Sequence, residues 1–267
     1  ALKRKVAGQK AGRLMADITD ADFRALRVAD EFELVDSPGI TTRLKGDLAD
    51  LPEARLILTP PTYYSLANGV ADNRTINDAM AAEAKARPGT RACGVVEPKY
   101  GDVAAAELER MAAIGLSGVV WSARAQGFFA NEHTLAELCR HAHSLGLVSL
   151  IHSAPYSVNE GLWRIWALAA LCPGVPLVVT GGLESWENIM LARENRGGPE
   201  GVFYTLSLLS ESWDLDGMVG SCGAERLLFG SGGGDPFART LGIVERALAP
   251  AEAKEAILSR NAERLFA

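Results

Sequence analysis

Residues 118–153 read GVVWSARAQGFFANEHTLAELCRHAHSLGLVSLIHS and hold one complete unit of the chain's organisation. Two short apolar runs, Gly118–Ser122 and Leu147–Ser153, flank a helical run over Thr134–Leu145. Gly146 stands directly after that run, where many helices end in a left-handed conformation that glycine adopts easily. Both apolar runs are hydrophobic nearly throughout, which is typical of strands buried on both faces of a parallel sheet. The stretch therefore predicts a strand, a helix and a second strand parallel to the first.

The same alternation of strand and helix extends along most of the chain. Seven segments are predicted as strands: Arg55–Thr59, Arg91–Val96, Gly118–Ser122, Leu147–Ser153, Leu177–Thr180, Val202–Leu206 and Arg226–Gly230. An eighth, weaker strand is predicted at Phe32–Val35, after a helix near Asp20–Ala29 that would cover the bottom of the barrel. Eight parallel strands close a sheet without an exposed edge, and 267 residues suit such a fold. We therefore predict an α/β protein with a (βα)8 TIM barrel as a single domain.

The domain organisation follows from this pattern. Residues 1–31 are predicted as a basic N-terminal arm and leading helix, and residues 32–267 as the barrel. Residues 1–13 carry five basic and no acidic side chains, which we interpret as a solvated terminus. A doubly wound open sheet is the alternative fold, but no Gly-x-Gly-x-x-Gly motif follows the first strand, as its dinucleotide-binding version would require.

Composition and charge exclude several classes of function. The 27 basic and 33 acidic side chains give a net charge of −6, without the positive footprint of a nucleic-acid-binding protein. No apolar run reaches the roughly 18 residues of a membrane span, and no secretory signal is visible. The four cysteines form no Cys-x-x-Cys pair, so reduced thiols in a cytoplasmic protein are expected. A small-molecule substrate is the expected partner, and Trp163 and Trp166, interpreted as core or as a subunit contact, allow a homo-oligomer.

Candidate site residues stand where the predicted strands end, because the catalytic groups of a barrel lie on the loops after the carboxyl ends of its strands. His152 ends the fifth strand and can act as a general base near neutral pH or as a metal ligand. Asp36 and Asp235 follow the first and last strands and are predicted as further catalytic carboxylates. Arg124 is predicted to bind a substrate carboxylate through its guanidinium group, with a structural salt bridge as the equal alternative.

Three further residues near strand ends, Trp121, Tyr63 and Thr180, are predicted to line the substrate site. The pair His141 and His143 lies in a predicted helix, where residues two apart point in nearly opposite directions. We therefore reject this pair as a metal-binding motif.

Two C-terminal motifs resemble a known family. Ala224–Ser231 reads AERLLFGS, and Asn261–Phe266 reads NAERLF. Together with Leu150–His152, which reads LIH, they resemble the amidohydrolase-2 group of the amidohydrolase superfamily over roughly residues 32–267. The resemblance implies a (βα)8 barrel and metal-assisted hydrolysis or nonoxidative decarboxylation.

The resemblance also implies a set of metal ligands: two histidines on strand 1, one histidine each on strands 5 and 6, and an aspartate on strand 8. His152 keeps the strand-5 position. Pro38 and Ile40 stand near the strand-1 positions, Thr180 at the strand-6 position and Gly232 at the strand-8 position. Since a zinc site normally needs three protein ligands, we expect no tightly bound metal. A divalent metal such as zinc, held through His152, is the alternative.

The expected function is that of an amidohydrolase-like hydrolase, metal-independent or weakly metal-dependent, that acts on a small organic acid, ester or lactone. His152 would be the base, Asp36 or Asp235 an orienting carboxylate, and Arg124 the substrate clamp. Two alternatives stay open on the same fold: a nonoxidative decarboxylase, and a non-catalytic barrel that binds a small molecule.

Overall fold

The computed structural model describes residues 27–29, 32–35, 41–44, 56–60, 68–207, 209–231 and 237–267, and every structural statement below concerns these residues. The strands in chain order are β1 (Arg27–Ala29), β2 (Phe32–Val35), β3 (Thr41–Leu44), β4 (Leu56–Leu58), β5 (Arg91–Val95), β6 (Gly118–Trp121), β7 (Val148–His152), β8 (Leu177–Thr180), β9 (Val202–Thr205), β10 (Leu227–Leu228) and β11 (Gly230–Ser231). The α-helices are α1 (Val70–Ala86), α2 (Asp102–Ala113), α3 (Ala123–Gln126), α4 (His133–Ser144), α5 (Leu162–Leu171), α6 (Trp186–Glu194), α7 (Ser212–Cys222), α8 (Phe237–Arg246), α9 (Ala251–Glu255) and α10 (Asn261–Leu265).

The main sheet closes into a barrel. Its strand order is β10-β9-β8-β7-β6-β5-β4-β1-β11, and each neighbouring pair is parallel. Phe229 alone separates β10 from β11, so these two short strands act as one strand that pairs with β9 at its start and with β1 at its end. The sheet is therefore a ring of eight parallel strands with intervening helices, and the predicted (βα)8 TIM barrel is confirmed.

The prediction of the first barrel strand is wrong. Phe32–Val35 is a strand, but it pairs antiparallel with Thr41–Leu44 in a separate two-stranded sheet. The first place in the barrel belongs to Arg27–Ala29, which we had included in a helix. Three residues are too short to show the apolar run of a buried strand, and Val28 is recognisable only by its pairing with Ile57 and Gly230. The remainder of the predicted leading helix and the basic arm lie outside the described residues.

The strands separate two apolar layers, because successive side chains of a strand point to opposite faces. The inner core fills the barrel: Ile57, Cys93, Val120, Val148, Leu150, Val178, Leu228, Ala262 and Phe266. The larger outer layer lies between the strands and the helices and includes Met80, Leu108, Leu135 and Leu168. This double burial explains why the predicted strands read as continuous apolar runs.

Several local predictions can be compared with the structure directly. Helix α4 begins one residue before the predicted Thr134, and Gly146 follows its end with a φ of 77°. Trp166 donates a hydrogen bond to the buried Tyr204 hydroxyl at 2.8 Å, whereas the Trp163 side chain is half exposed and stacks on Arg164. Within the described ranges, no helix combines the length and the apolar character that crossing a membrane requires.

Candidate functional site

The inward-facing side chains change from apolar to polar at the carboxyl ends of the barrel strands. Leu150 and Val178 belong to the inner core, and two positions further along the same strands come His152 and Thr180. The corresponding positions elsewhere in the ring also carry polar side chains, and we call the whole set the polar rim: Thr59, Glu97, Ser122, His152, Thr180, Thr205 and Ser207. All of these except His152 are buried, and the His152 side chain is 23% exposed. The rim therefore gives the barrel one polar end at which His152 can be reached from solvent.

Glu160 holds the imidazole of His152. Its carboxylate oxygen Oε1 lies 3.0 Å from His152 Nδ1, and the Glu160 side chain is completely buried. Nε2, on the other side of the ring, lies near Gly181, where an added Cβ atom would be 3.5 Å away. Gly181 has a φ of 70°, and an added Cβ atom would lie 2.7 Å from the Ser153 carbonyl oxygen, so both its backbone conformation and this close approach favour glycine.

Arg124, predicted either to bind a substrate carboxylate or to form a structural salt bridge, contacts Glu160 in the structure, and its substrate role stays a prediction. Its backbone N–H, in the first turn of α3, donates to Glu160 Oε2 at 2.9 Å, and its Nε lies 3.5 Å from Glu160 Oε1. The Arg124 side chain is 67% exposed, so its remaining N–H groups can still reach a ligand. The structure therefore brings Arg124 and His152 together through Glu160.

Hydrogen bonds between neighbouring loops fix the segment that carries Glu160. Ala130 N–H donates to the Asn159 carbonyl at 2.8 Å, and Asn159 Nδ2 donates to the Phe128 carbonyl at 2.7 Å. Ser157 Oγ accepts from the Glu160 backbone N–H at 3.4 Å. The carboxylate is thus held by the chain on both sides of the loop, and its position does not depend on the histidine alone.

Glu97, the carboxylate of the polar rim, is paired with a cation. Glu97 Oε2 lies 2.5 Å from Lys99 Nζ, and the Lys99 side chain is 44% exposed. The hydrogen bond that Lys99 donates to the Glu97 carboxylate raises the pKa of Lys99 above its ordinary value. Lys99 therefore stays positively charged and adds a second cation, besides Arg124, to this end of the barrel.

The other predicted site residues divide into three cases. Thr180 is paired with His152 in the register of β7 and β8 and is a buried member of the polar rim. Trp121 is completely buried in the outer layer, where its Nε1 donates to Ser149 Oγ at 3.2 Å. Its side chain thus lies on the helix side of the sheet and away from the rim, and we leave it out of the site. The remaining three predicted residues lie outside the described residues: Asp36, Tyr63 and Asp235.

Sequence reasoning missed Glu160. It stands eight positions after His152, in the segment that leads into α5. The available signal was an acidic residue in the same loop as the strand-end histidine. That signal is weak, because acidic residues near the start of a helix are common for dipole reasons.

Nucleophilic catalysis by a described cysteine does not fit this structure. All four cysteines are buried, and burial raises the pKa of Cys139 to about 12 and that of Cys222 to about 11. Cys139 and Cys222 are therefore thiols at neutral pH, and a thiol is a poor nucleophile and a poor metal ligand.

A cavity of about 630 Å³ lies at the opposite end of the barrel, at the amino ends of the strands. It is lined by Ile57, Gly89, Thr90, Arg91, Gly115, Ser117, Ala262, Glu263 and Phe266. Arg91 and Glu263 are exposed, and the described lining contains neither histidine nor cysteine. The polar rim, and not this cavity, therefore holds the histidine that can transfer a proton near neutral pH.

The described residues do not by themselves fit a metal site. Among them, no three histidine, cysteine, aspartate or glutamate side chains are grouped as a metal ion would require. The carboxylates of Asp36 and Asp235 stand in segments outside the described ranges. We therefore derive no chemical step through a metal.

Solved structures of other proteins share the fold of this chain. No protein-family model and no curated protein matches the chain. A 2,6-dihydroxybenzoate decarboxylase in complex with 2,6-dihydroxybenzoate superposes with a TM-score of 0.70 at 15% identity, over 91% of this chain and 98% of the enzyme. A Pseudomonas putida protein provisionally assigned as a 2-pyrone-4,6-dicarboxylic acid hydrolase gives a TM-score of 0.61 at 19% identity, over 91% and 97% of the two chains. A dihydroxybenzoic acid decarboxylase from Polaromonas sp. JS666, with bound manganese and the inhibitor 2-nitroresorcinol, gives 0.61 at 16% identity, over 79% and 81%.

The manganese in the last of these structures corrects one expectation. We expected no tightly bound metal, with zinc through His152 as the alternative, because the ligands implied by the resemblance are missing from the sequence. Manganese bound in a decarboxylase of the same fold contradicts that expectation. The strand-1 ligand positions were also assigned to the wrong segment, because Phe32–Val35 is not a strand of the barrel. The first barrel strand is Arg27–Ala29, and the residues that follow it in sequence are two carboxylates, Asp30 and Glu31.

The neighbours include decarboxylases and the protein provisionally assigned as a hydrolase, and these share the barrel fold with this chain. The resemblance that the C-terminal motifs indicated is therefore confirmed at the level of the fold. This chain has the same (βα)8 barrel fold as these neighbours.

Proposed function

We propose that this protein is an enzyme that removes the carboxylate of a small organic acid as CO2 without an external oxidant. The observation that carries the proposal is the contact between His152 and the buried Glu160 at the carboxyl end of the barrel. Decarboxylases among the structural neighbours support the choice of reaction class. Asp36, Asp235, Tyr63 and Thr180 remain part of the proposed site.

In the proposed reaction, the bond between the substrate carbon and its carboxylate breaks, and the electron pair of that bond stays on the carbon. A proton must then reach the same carbon, so that RCO2⁻ and H⁺ give RH and CO2. The His152 imidazolium supplies the proton, and the carboxylate of Glu160 stabilises the imidazolium until the transfer occurs.

The cations near the mouth suit an acidic substrate. Arg124 and Lys99 are both partly exposed and positively charged, and guanidinium and ammonium groups bind carboxylate or phenolate oxygens. Each of them is also paired with a buried glutamate, which keeps the cation in place when the substrate is absent. A neutral substrate would leave these charges without a role in binding.

Hydrolysis of a lactone or ester is the second candidate, favoured by the neighbour that is provisionally assigned as a pyrone dicarboxylic acid hydrolase. His152 would then accept a proton from water instead of giving one to carbon, and the same cations would stabilise the negative charge that develops on the acyl oxygen. Both candidates use the same residues, so a mutation alone does not distinguish them. The identity of the product does.

The test is a substrate panel of hydroxybenzoic acids and pyrone carboxylic acids, assayed for CO2 release and for ring opening, with and without added manganese. We expect CO2 release from at least one hydroxybenzoic acid, and a loss of about 10² to 10⁴-fold in His152→Ala. The matched control is His143→Ala, because His143 is exposed on α4. Ring opening without CO2 release would favour the hydrolase. Ligand-induced thermal stabilisation without turnover of any substrate would favour a binding protein.

The homo-oligomer and the cytoplasmic location also remain predictions. The half-exposed Trp163 stays available for a subunit contact, while Trp166 is engaged inside the protein. Size-exclusion chromatography of the wild type and of Trp163→Ser is the direct test of the former.

A further inference from the structure

We propose that Glu160 is a positioning residue that holds His152 in the tautomer with its hydrogen on Nδ1, so that Nε2 is the nitrogen that exchanges protons at the mouth. The catalytic consequence rests on the proposed function. The tautomer itself is a property of the protein without substrate and can be measured independently.

The tautomer of His152 follows from the hydrogen-bond donors and acceptors around its imidazole. A carboxylate is an acceptor only, so a hydrogen bond between Glu160 Oε1 and His152 Nδ1 requires the hydrogen to be on Nδ1. The contact is 3.0 Å long, within the normal range for such a bond. Because the Glu160 side chain is completely buried, water does not compete for this oxygen.

The surroundings of Glu160 favour its role as an acceptor. Its other oxygen, Oε2, accepts the Arg124 backbone N–H at 2.9 Å, and the Arg124 guanidinium lies close to Oε1. All of these neighbours are donors, so the charged acceptor form of Glu160 satisfies each of them. A neutral carboxylic acid would place a hydrogen against one of these donors and would lose a bond.

The competing interpretation is that Glu160 is purely structural. In that case its contact with the first turn of α3 would stabilise the loop, and the histidine would be a bystander. The two interpretations differ in one measurable property: a structural glutamate leaves the tautomer of His152 unconstrained once the loop is folded. A positioning glutamate determines it.

The chemical consequence concerns both directions of proton transfer. With the hydrogen fixed on Nδ1, the neutral ring presents the acceptor lone pair of Nε2, on the side near Gly181. When Nε2 gains a proton, the positive charge forms directly beside Glu160, which stabilises it. The same geometry therefore serves proton donation in decarboxylation and proton acceptance in hydrolysis.

The experiment is long-range ¹H–¹⁵N correlation spectroscopy on protein labelled with [¹⁵N]histidine, at a pH where His152 is neutral. The chain has four histidines, so His152→Ala identifies the signals of His152. In the wild type we expect the single pattern of a protonated Nδ1 and an unprotonated Nε2. A wild-type spectrum with the hydrogen on Nε2 overturns the proposal without any mutation.

Two variants complete the test. Glu160→Ala is expected to give a mixture of both tautomers, and a folded Glu160→Ala protein with an unchanged His152 pattern contradicts the proposal. Glu132→Gln is the matched control, because Glu132 accepts the Phe129 backbone N–H at 2.8 Å in an adjoining loop, and it should leave the pattern unchanged.

Activity assays keep this inference separate from the proposed function. A confirmed tautomer without turnover of any substrate would leave the positioning role standing and would refute the enzyme. Turnover that depends on His152, combined with the opposite tautomer, would refute the positioning role alone.

Discussion

Two glutamates of this protein are equally buried and differ in their partners. Glu107, on α2, and Glu160, at the carboxyl end of the barrel, both have fully buried side chains. Glu107 receives hydrogen bonds from Arg110, from Arg74 at 3.0 Å and from Asn77 at 2.8 Å. Glu160 has a histidine as its side-chain partner within hydrogen-bond distance. The side chains nearest to Glu107 include two permanently charged arginines. The side chain nearest to Glu160 is His152, at 3.0 Å, which can gain and lose a proton near neutral pH, while the Arg124 guanidinium lies farther away, at 3.5 Å.

The position of Glu107 explains its structural role. Asn77 Nδ2 donates to Glu107 and also to the Val95 carbonyl, and Asn77 Oδ1 accepts the Val95 N–H at 2.7 Å. The network thereby ties α1 and α2 to β5. The close approach depends on Gly94, where an added Cβ atom would come within 2.5 Å of Asn77 Oδ1. The comparison teaches that burial of a carboxylate does not indicate function until its partners are known.

The largest expected effect is on turnover, which we expect to depend on Glu160 and not on Glu107. Glu160→Gln removes the charge that stabilises the His152 imidazolium, and we expect turnover to fall by about 10² to 10⁴-fold. Glu107→Gln should leave turnover per folded molecule within about twofold, because Glu107 does not touch the rim. Steady-state rates, normalised to the folded fraction from circular dichroism, give the comparison. Equal losses in both variants would show that the two sites are not distinct in function.

The second largest expected effect concerns the free energy of unfolding, and here we expect Glu107 to matter more than Glu160. Glu107→Gln leaves Arg110 and Arg74 without their buried carboxylate, and we expect the free energy of unfolding to fall by about 3 kcal/mol. This loss lies at the lower end of the range for breaking a buried ion pair, because the Arg74 side chain is half exposed and solvent screens its contact with Glu107. Urea denaturation measures the loss. A change below about 0.5 kcal/mol would contradict the structural role, because surface substitutions typically fall within that range.

The pH dependence of stability sharpens the same contrast. Burial acts to raise the pKa of Glu107, but hydrogen bonds from Arg110, Asn77 and Arg74 outweigh it, and the net pKa lies below the ordinary value of 4.5. A carboxyl group with a depressed pKa in the folded state contributes stability above its unfolded pKa, and this contribution is lost as the pH falls through the folded pKa. The urea midpoint of the wild type should therefore fall below pH 4.5 more steeply than that of Glu107→Gln. Parallel curves for the two proteins would be the contrary result.

The smallest expected effect belongs to the exposed side of the same network. Arg74→Gln removes one of the donors to Glu107, but the Arg74 side chain is 52% exposed and Arg110 remains. We expect a loss of at most about 1 kcal/mol in urea denaturation, as for other solvent-exposed ion pairs. A loss as large as that of Glu107→Gln would mean that Arg74, and not Arg110, holds the carboxylate.

Seven of the predicted strands were found within two residues of their predicted bounds, because strands covered on both faces must be apolar along their whole length. The eighth was misplaced because Arg27–Ala29 is too short for a pattern and is defined by its pairing across the ring. His152 and Thr180 could be predicted as members of the polar rim because each is a polar residue at the end of an apolar strand. This pattern is visible in the sequence without knowing how the loops fold. The prediction for Trp121 was wrong because successive side chains of a strand point to opposite faces, and the Trp121 side chain points to the helix side of the sheet.

The sequence by itself determined the closed barrel and placed a histidine at the carboxyl end of a strand, because both depend on local periodicity and on where an apolar run stops. The tertiary structure alone decided which of the acidic residues matters to that histidine. Glu107 and Glu160 are chemically identical in the sequence. The difference between them arises from the side chains that the fold brings to each, which include Arg74 and Asn77, 33 and 30 positions from Glu107, and His152, 8 positions from Glu160. Such partners become visible only when the chain has folded, because a hydrogen bond is set by distance in space and not by position along the sequence.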